Sequence, residues 1–93
     1  MPDVTVTVPG MLARFTDGQR TVPLRADTLE ACIDRLIESY PELESHLFDG
    51  RDRLRTHLQL FHNGAGVEWD EDGRALQLDD GDEVLVLQAV SGG

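Results

Sequence analysis

The chain has 93 residues, 40% of them hydrophobic, which points to one small domain with a modest core and excludes a disordered segment. Its formal charge is −10 and all eight basic residues are arginine, a balance that argues against nucleic acid and anionic membrane as partners and leaves the N-terminal amine as the only amine for an isopeptide-type bond. No apolar run of about 18 residues is present to span a bilayer. The opening Met1-Pro2-Asp3-Val4 lacks a basic segment followed by an apolar one, so the expected compartment is the cytoplasm.

Val4 to Val8 alternate Val and Thr, the period of a strand with Val4, Val6 and Val8 on a buried face. Pro9-Gly10 ends it, and a short apolar stretch, Met11 to Phe15, follows. Asp17-Gly18 is a turn signal, and Gln19 to Leu24 reads as a second strand, pairing with the first as an antiparallel hairpin with a long connection.

The main helix is predicted from Thr28 to Tyr40. Leu29, Cys32, Ile33, Leu36, Ile37 and Tyr40 recur at i, i+3, i+4, i+7, i+8 and i+11, forming one apolar stripe. Asp27 is the expected N-cap, with Glu30 in a capping-box position. Pro41 disfavours helical geometry at Tyr40 and sets the end. Glu42 to Phe48 reads as a short second helix, and Arg51 to Arg55 as a charged loop.

His57 to His62 is the third strand, with Leu58, Leu60 and His62 on one face and Gln59 and Phe61 on the other. Asn63-Gly64 is a hairpin turn, Val67 to Trp69 a short return strand, and Asp70 to Gly73 a loop. After a connection at Ala75 to Leu78, Asp79-Asp80-Gly81-Asp82 makes a tight turn into the last strand, Glu83 to Ala89. With Val84 and Val86 facing the core, alternation turns Leu85 and Leu87 outward, and Phe61 joins them on the open face. An apolar cluster there marks a partner surface, so Leu87, Leu85 and Phe61 are the predicted docking residues. The order β-β-α-β-(β)-β gives an α+β fold in two layers, a mixed sheet with one main amphipathic helix packed on one face.

Other chemistry-bearing residues form no site. Cys32 lies within the helix stripe and reads as core. His46, His57 and His62 lack metal-ligand spacing and read as surface or edge residues. The acidic stretches at Asp70 to Asp72 and Asp79 to Glu83 lack the ligand spacing of a calcium loop. Trp69 reads as a packing residue at the sheet edge. No catalytic or metal-binding residue is predicted. The final Val90-Ser91-Gly92-Gly93 is read instead as a flexible tail beyond a domain of residues 1–89, able to reach about 13 Å when extended. Gly92 and Gly93 lack Cβ, and so suit a narrow channel that presents the Gly93 carboxyl to chemistry elsewhere.

The turn Leu78-Asp79-Asp80-Gly81-Asp82-Glu83-Val84, set before a strand that ends Ala89-Val90-Ser91-Gly92-Gly93, resembles the ubiquitin-like β-grasp sulfur carriers of the MoaD/ThiS family. The opening Val4 to Pro9, the helix entry Asp27-Thr28-Leu29 and the Gly-Gly ending most resemble carriers of a cysteine-biosynthesis route. Molybdopterin-type carriers usually have a Pro-Pro pair where Gln88 and Ala89 stand here; a molybdopterin-synthase-like or thiamin-type carrier remains an alternative. So does a ubiquitin-like protein modifier conjugated through Gly93, since archaeal modifiers share the Val-Ser-Gly-Gly ending.

The resemblance implies that the chain is a co-substrate and binds no cofactor of its own. An E1-like adenylating and sulfurtransferase enzyme would use ATP to convert the Gly93 carboxylate to an acyl adenylate. A sulfur nucleophile would then leave a thiocarboxylate. For the cysteine route, the implied acceptor is a cysteine synthase carrying pyridoxal phosphate (PLP), followed by a zinc metallopeptidase that trims the product.

Overall fold

The computed structural model describes residues 1–50 and 53–88. The predicted tail, Val90 to Gly93, lies outside the described residues, as do Ala89, Arg51 and Asp52. The strands are β1 (Asp3–Thr7), β2 (Thr21–Arg25), β3 (Leu58–His62), β4 (Ala65–Val67) and β5 (Glu83–Gln88), and the α-helices are α1 (Leu29–Ser39), α2 (Leu43–Leu47) and α3 (Glu71–Arg74). The sheet order is β2-β1-β5-β3-β4. β1 and β5 are parallel at its centre, and every other pairing is antiparallel.

The valine alternation in β1 does what its period requires: Val4, Val6 and Val8 are buried beneath α1. Leu29, Cys32, Ile33, Leu36 and Ile37 meet them from the helix side, each at most 9% exposed. Burying an aliphatic side chain of this size contributes about 1.5–3 kcal/mol, so the α1 stripe is a major source of stability. Val84 and Val86 of β5 and Leu58 and Leu60 of β3 join the core, as do Leu43 and Leu47 of α2 and the following Phe48.

Several local expectations are corrected. The N-cap of α1 is Thr28, whose hydroxyl accepts from Ala31 N–H at 3.1 Å. Asp27 is exposed and uses its carbonyl to accept from Leu78 N–H at 2.8 Å, which pins the 76–78 connection to the helix entry. The apolar stretch after β1 is a 3-10 helix, Gly10–Thr16, closed by Asp17 in the left-handed region at φ 55°. β2 starts two residues later than expected because the turn extends through Arg20. The return strand is Ala65–Val67: His62 pairs with Ala65, so Asn63 and Gly64, at φ 48° and 87°, form a two-residue turn of the type I′ kind. Asp70 to Gly73 is not a plain loop. The Asp70 carboxylate caps Gly73 N–H at 2.8 Å and opens α3.

Candidate functional site

The turn that feeds β5 is held to β1 by three hydrogen bonds. Gly81 takes φ +88°, a conformation that L side chains rarely adopt, and its N–H donates to the Asp3 carbonyl at 2.7 Å. Asp3 N–H donates to Asp80 Oδ1 at 2.7 Å, and Thr5 N–H donates to the Asp82 carbonyl at 3.1 Å. β5 is thereby started in register against β1, with Thr5 opposite Glu83 and Thr7 opposite Leu85.

Asp82 is the centre of this lock and is 8% exposed. Its carboxylate accepts from His62 Nε2 at 2.7 Å, from Asp79 N–H at 2.9 Å and from the Asn63 side-chain amide at 3.0 Å. The hydrogen bond from His62, then those from Asp79 and Asn63, hold its pKa down at about 2. Asn63 returns the contact, its side-chain oxygen accepting from Glu83 N–H at 2.8 Å. One carboxylate therefore ties the β3–β4 turn to the start of β5.

Alternation then runs undisturbed along β5. Val84 and Val86 are buried, Leu85 is half-buried, and Leu87 keeps 42% of its surface exposed on the face away from α1. The registers place Leu85 opposite Phe61, Phe61 opposite Gly66, and Leu87 opposite Gln59. Thr7 flanks Leu85 from β1, with its hydroxyl 3.2 Å from that of Thr21. The three predicted docking residues are thus neighbours on one open face, Phe61 half-buried beside Leu85. β5 ends at Gln88 opposite Leu58, and the chain continues from this end of the sheet toward Gly93.

No group of three or more His, Cys, Asp or Glu among the described residues is arranged to hold a metal ion. Cys32 is fully buried, and that burial pushes its thiol up to about 12, so it is no nucleophile in the folded chain. His46 stacks on Phe15 with ring centroids 4.2 Å apart, and Trp69 is half-buried with its ring 5.2 Å from that of Phe48. The element missed from sequence is the His62–Asp82–Asn63 lock. Asn63-Gly64 and Gly81-Asp82 are each visible as turns, but only the β3–β5 register, with His62 opposite Val84, brings them together.

The sequence profile of the ThiS family matches residues 6–93, from inside β1 through the final glycine. The chain belongs to the ThiS family. The sulfur carrier protein CysO of Mycobacterium tuberculosis is 34% identical over 93 residues, 98% of this chain and 99% of that protein. The crystal structure of M. tuberculosis CysO matches the fold with a TM-score of 0.82 at 34% identity, covering 94% of this chain and 99% of that one. The CysO-type structure in the Amycolatopsis orientalis BexX/CysO complex matches with a TM-score of 0.82 at 27% identity, over 97% of this chain and 99% of that one. Small archaeal modifier protein 1 of Haloferax volcanii is 33% identical over 79 residues, 82% of this chain and 85% of that protein. The architecture is that of a ubiquitin-like β-grasp protein, and the chain is a ThiS-family, CysO-like sulfur-carrier homologue, a small protein co-substrate rather than an enzyme. No helix among the described residues is long and apolar enough to cross a membrane.

Proposed function

We propose that this ThiS-family chain carries sulfur as a thiocarboxylate at Gly93, for the biosynthesis of cysteine. The observation that carries this reading is the 34% identity to a sulfur carrier protein over 98% of the chain, together with a family match that runs through Gly92-Gly93. A carboxylate is a poor electrophile. An E1-like enzyme joins it to AMP, releasing pyrophosphate from ATP. A sulfur nucleophile at the oxidation level of sulfide then attacks the acyl carbon, the bond to AMP breaks, and the thiocarboxylate remains. In the cysteine route this sulfur would replace the activating group on the β-carbon of an activated serine held by a PLP-dependent cysteine synthase, the acyl group would pass from that sulfur to the serine-derived amine as an amide, and a zinc metallopeptidase would hydrolyse the amide to release cysteine. ATP and PLP belong to those partners.

Five residues follow Gln88, which span at most about 17 Å. Val90, Ser91, Gly92 and Gly93 can therefore enter a buried active site while the domain stays outside. Leu87, with Leu85 and Phe61, is the surface proposed to seat the domain on the activating enzyme. That reading is supported by their contiguity on the open face; that carriers of this kind dock on partner proteins is supported by the complex of a CysO-like relative with BexX. ATP–pyrophosphate exchange by the cognate E1-like enzyme should depend on the carrier and vanish when Gly93 is deleted. Exchange that survives the deletion sinks the proposal.

A second reading, a protein modifier joined through Gly93 to lysines of other proteins, is favoured by the 33% identity to small archaeal modifier protein 1. It shares the activation step, and is recognised by Gly93-dependent Gly-Gly remnants on other proteins in the cell.

A further inference from the structure

Asn63 is the only asparagine of the chain, and Gly64 follows it. An asparagine before glycine carries a reaction of its own. The glycine backbone nitrogen attacks the side-chain amide carbon, the amide nitrogen leaves with the glycine proton as ammonia, and a five-membered succinimide closes. Water then opens the ring at either carbonyl, leaving aspartate or isoaspartate, and the new carboxyl gives its proton to the ammonia. Water is the only co-reactant. Glycine permits the attack because no Cβ crowds its nitrogen.

The folded chain keeps the two reacting groups apart. Both polar atoms of the Asn63 side chain are engaged: Nδ2 donates to Asp82 Oδ1 at 3.0 Å, and Oδ1 accepts from Glu83 N–H at 2.8 Å. These bonds aim the amide at the start of β5. The other carboxylate oxygen of Asp82 is itself held, by His62 Nε2 at 2.7 Å and Asp79 N–H at 2.9 Å. Ring closure also needs the Asn63 Cβ and the Gly64 nitrogen nearly eclipsed about the Cα–C bond. The type I′ turn sets ψ near about +30° at its first central residue, far from that arrangement. The lock must release and the turn must open before the ring can form.

After conversion the lock cannot re-form. In aspartate, a carboxylate oxygen replaces the amide nitrogen 3.0 Å from Asp82 Oδ1, setting two anionic acceptors together at a site only 8% exposed. Isoaspartate adds a backbone carbon to a two-residue turn, and so displaces Ala65 from its place opposite His62. We propose that Asn63 is a latent deamidation site which the Asp82 lock keeps closed, and that its conversion frees the start of β5. The consequence extends to the open face, because Leu85 and Leu87 follow Glu83 on that strand.

The test incubates the purified full chain at mildly alkaline pH, in buffer and in denaturing urea. Ammonia release and intact mass report conversion, and peptide mapping locates it. The readout is specific: Asp17, Asp49, Asp72 and Asp80 also precede glycine, but they close the ring by losing water and return to their original mass. Native wild type is expected to convert at least about tenfold more slowly than in urea, the protection given by a local opening of about 1.4 kcal/mol. Asp82→Ala, held at a temperature where circular dichroism shows it folded, should convert at least about threefold faster than native wild type, the worth of one lost hydrogen bond. Asn63→Asp, the converted chain made directly, should exchange its Glu83 amide hydrogen at least about threefold faster than wild type and melt at a lower temperature. Native wild type that converts as fast as in urea overturns the proposal, whether or not Asp82→Ala folds. So does a folded Asp82→Ala that converts no faster than wild type, or an Asn63→Asp chain with wild-type exchange and melting.

Discussion

Leu87 is the most informative single substitution on the proposed docking face. In the free chain it retains 42% of its surface exposed, so a partner can cover only that remainder. Full burial of a leucine is worth about 1.5–3 kcal/mol, which makes the available gain about 1 kcal/mol, or roughly a fivefold change in affinity. Leu87→Ala should therefore raise KM for the carrier by about fivefold at most, in ATP–pyrophosphate exchange with the cognate E1-like enzyme. Leu87→Asp should raise it on the order of tenfold or more, because a carboxylate must also be desolvated on docking. kcat should hold, since the contact is made equally in ground and transition states. Folding stability should fall by only about 1–2 kcal/mol, the worth of the part of the side chain that the free chain already covers beside Gln59. If Leu87→Asp leaves KM at its wild-type value, the open face is not where the activating enzyme binds. A larger fall in stability would instead make Leu87 a structural residue.

Three further outcomes test the fold that presents this face. The Asp82 carboxyl is held at about 2, below its ordinary 3.8, so its contribution is full above the higher value and is lost as pH falls through the lower one. The stability gap between wild type and Asp82→Asn should accordingly shrink between pH 4 and 2 in thermal melts; a gap independent of pH there would remove the charge from the argument. A Cβ at Gly73 would run into the Glu68 carbonyl, so Gly73→Ala should destabilise by about 2 kcal/mol and lower Tm by about 10 °C, and an unchanged melt would show that the α3 segment yields freely. Cys32 should resist a thiol reagent at pH 8 until denaturant is added, and prompt labelling of the native chain would contradict its place in the core.

Periodic features were legible in the sequence because their burial follows from spacing alone. The β1 valines, the α1 stripe and the Leu85/Leu87 alternation all occupy the faces that their periods assign. Local chemistry between near-equal options was not legible. Asp27 and Thr28 are both competent caps, and tertiary pairing decides between them: the Asp27 carbonyl is engaged by Leu78, and Thr28 and Gln77 bridge between segments. The short α3 depends on one Asp70 side-chain bond, which a polar stretch does not announce. The Asp82 lock is a long-range product of sheet register, joining residues about twenty positions apart. The Gly92-Gly93 end is read from motif and family likeness alone, since no periodicity speaks to it and it lies outside the described residues.

In the proposed function the Gly93 carboxyl is converted to a thiocarboxylate. Intact-mass spectrometry of the carrier from sulfur-replete cells, with its cognate E1-like enzyme present, tests this most directly. The expected species has one oxygen replaced by one sulfur, is located by fragmentation to Gly93, and is lost when Gly93 is deleted. A carrier that stays entirely a carboxylate, in cells whose E1-like enzyme is shown to be active, would contradict it.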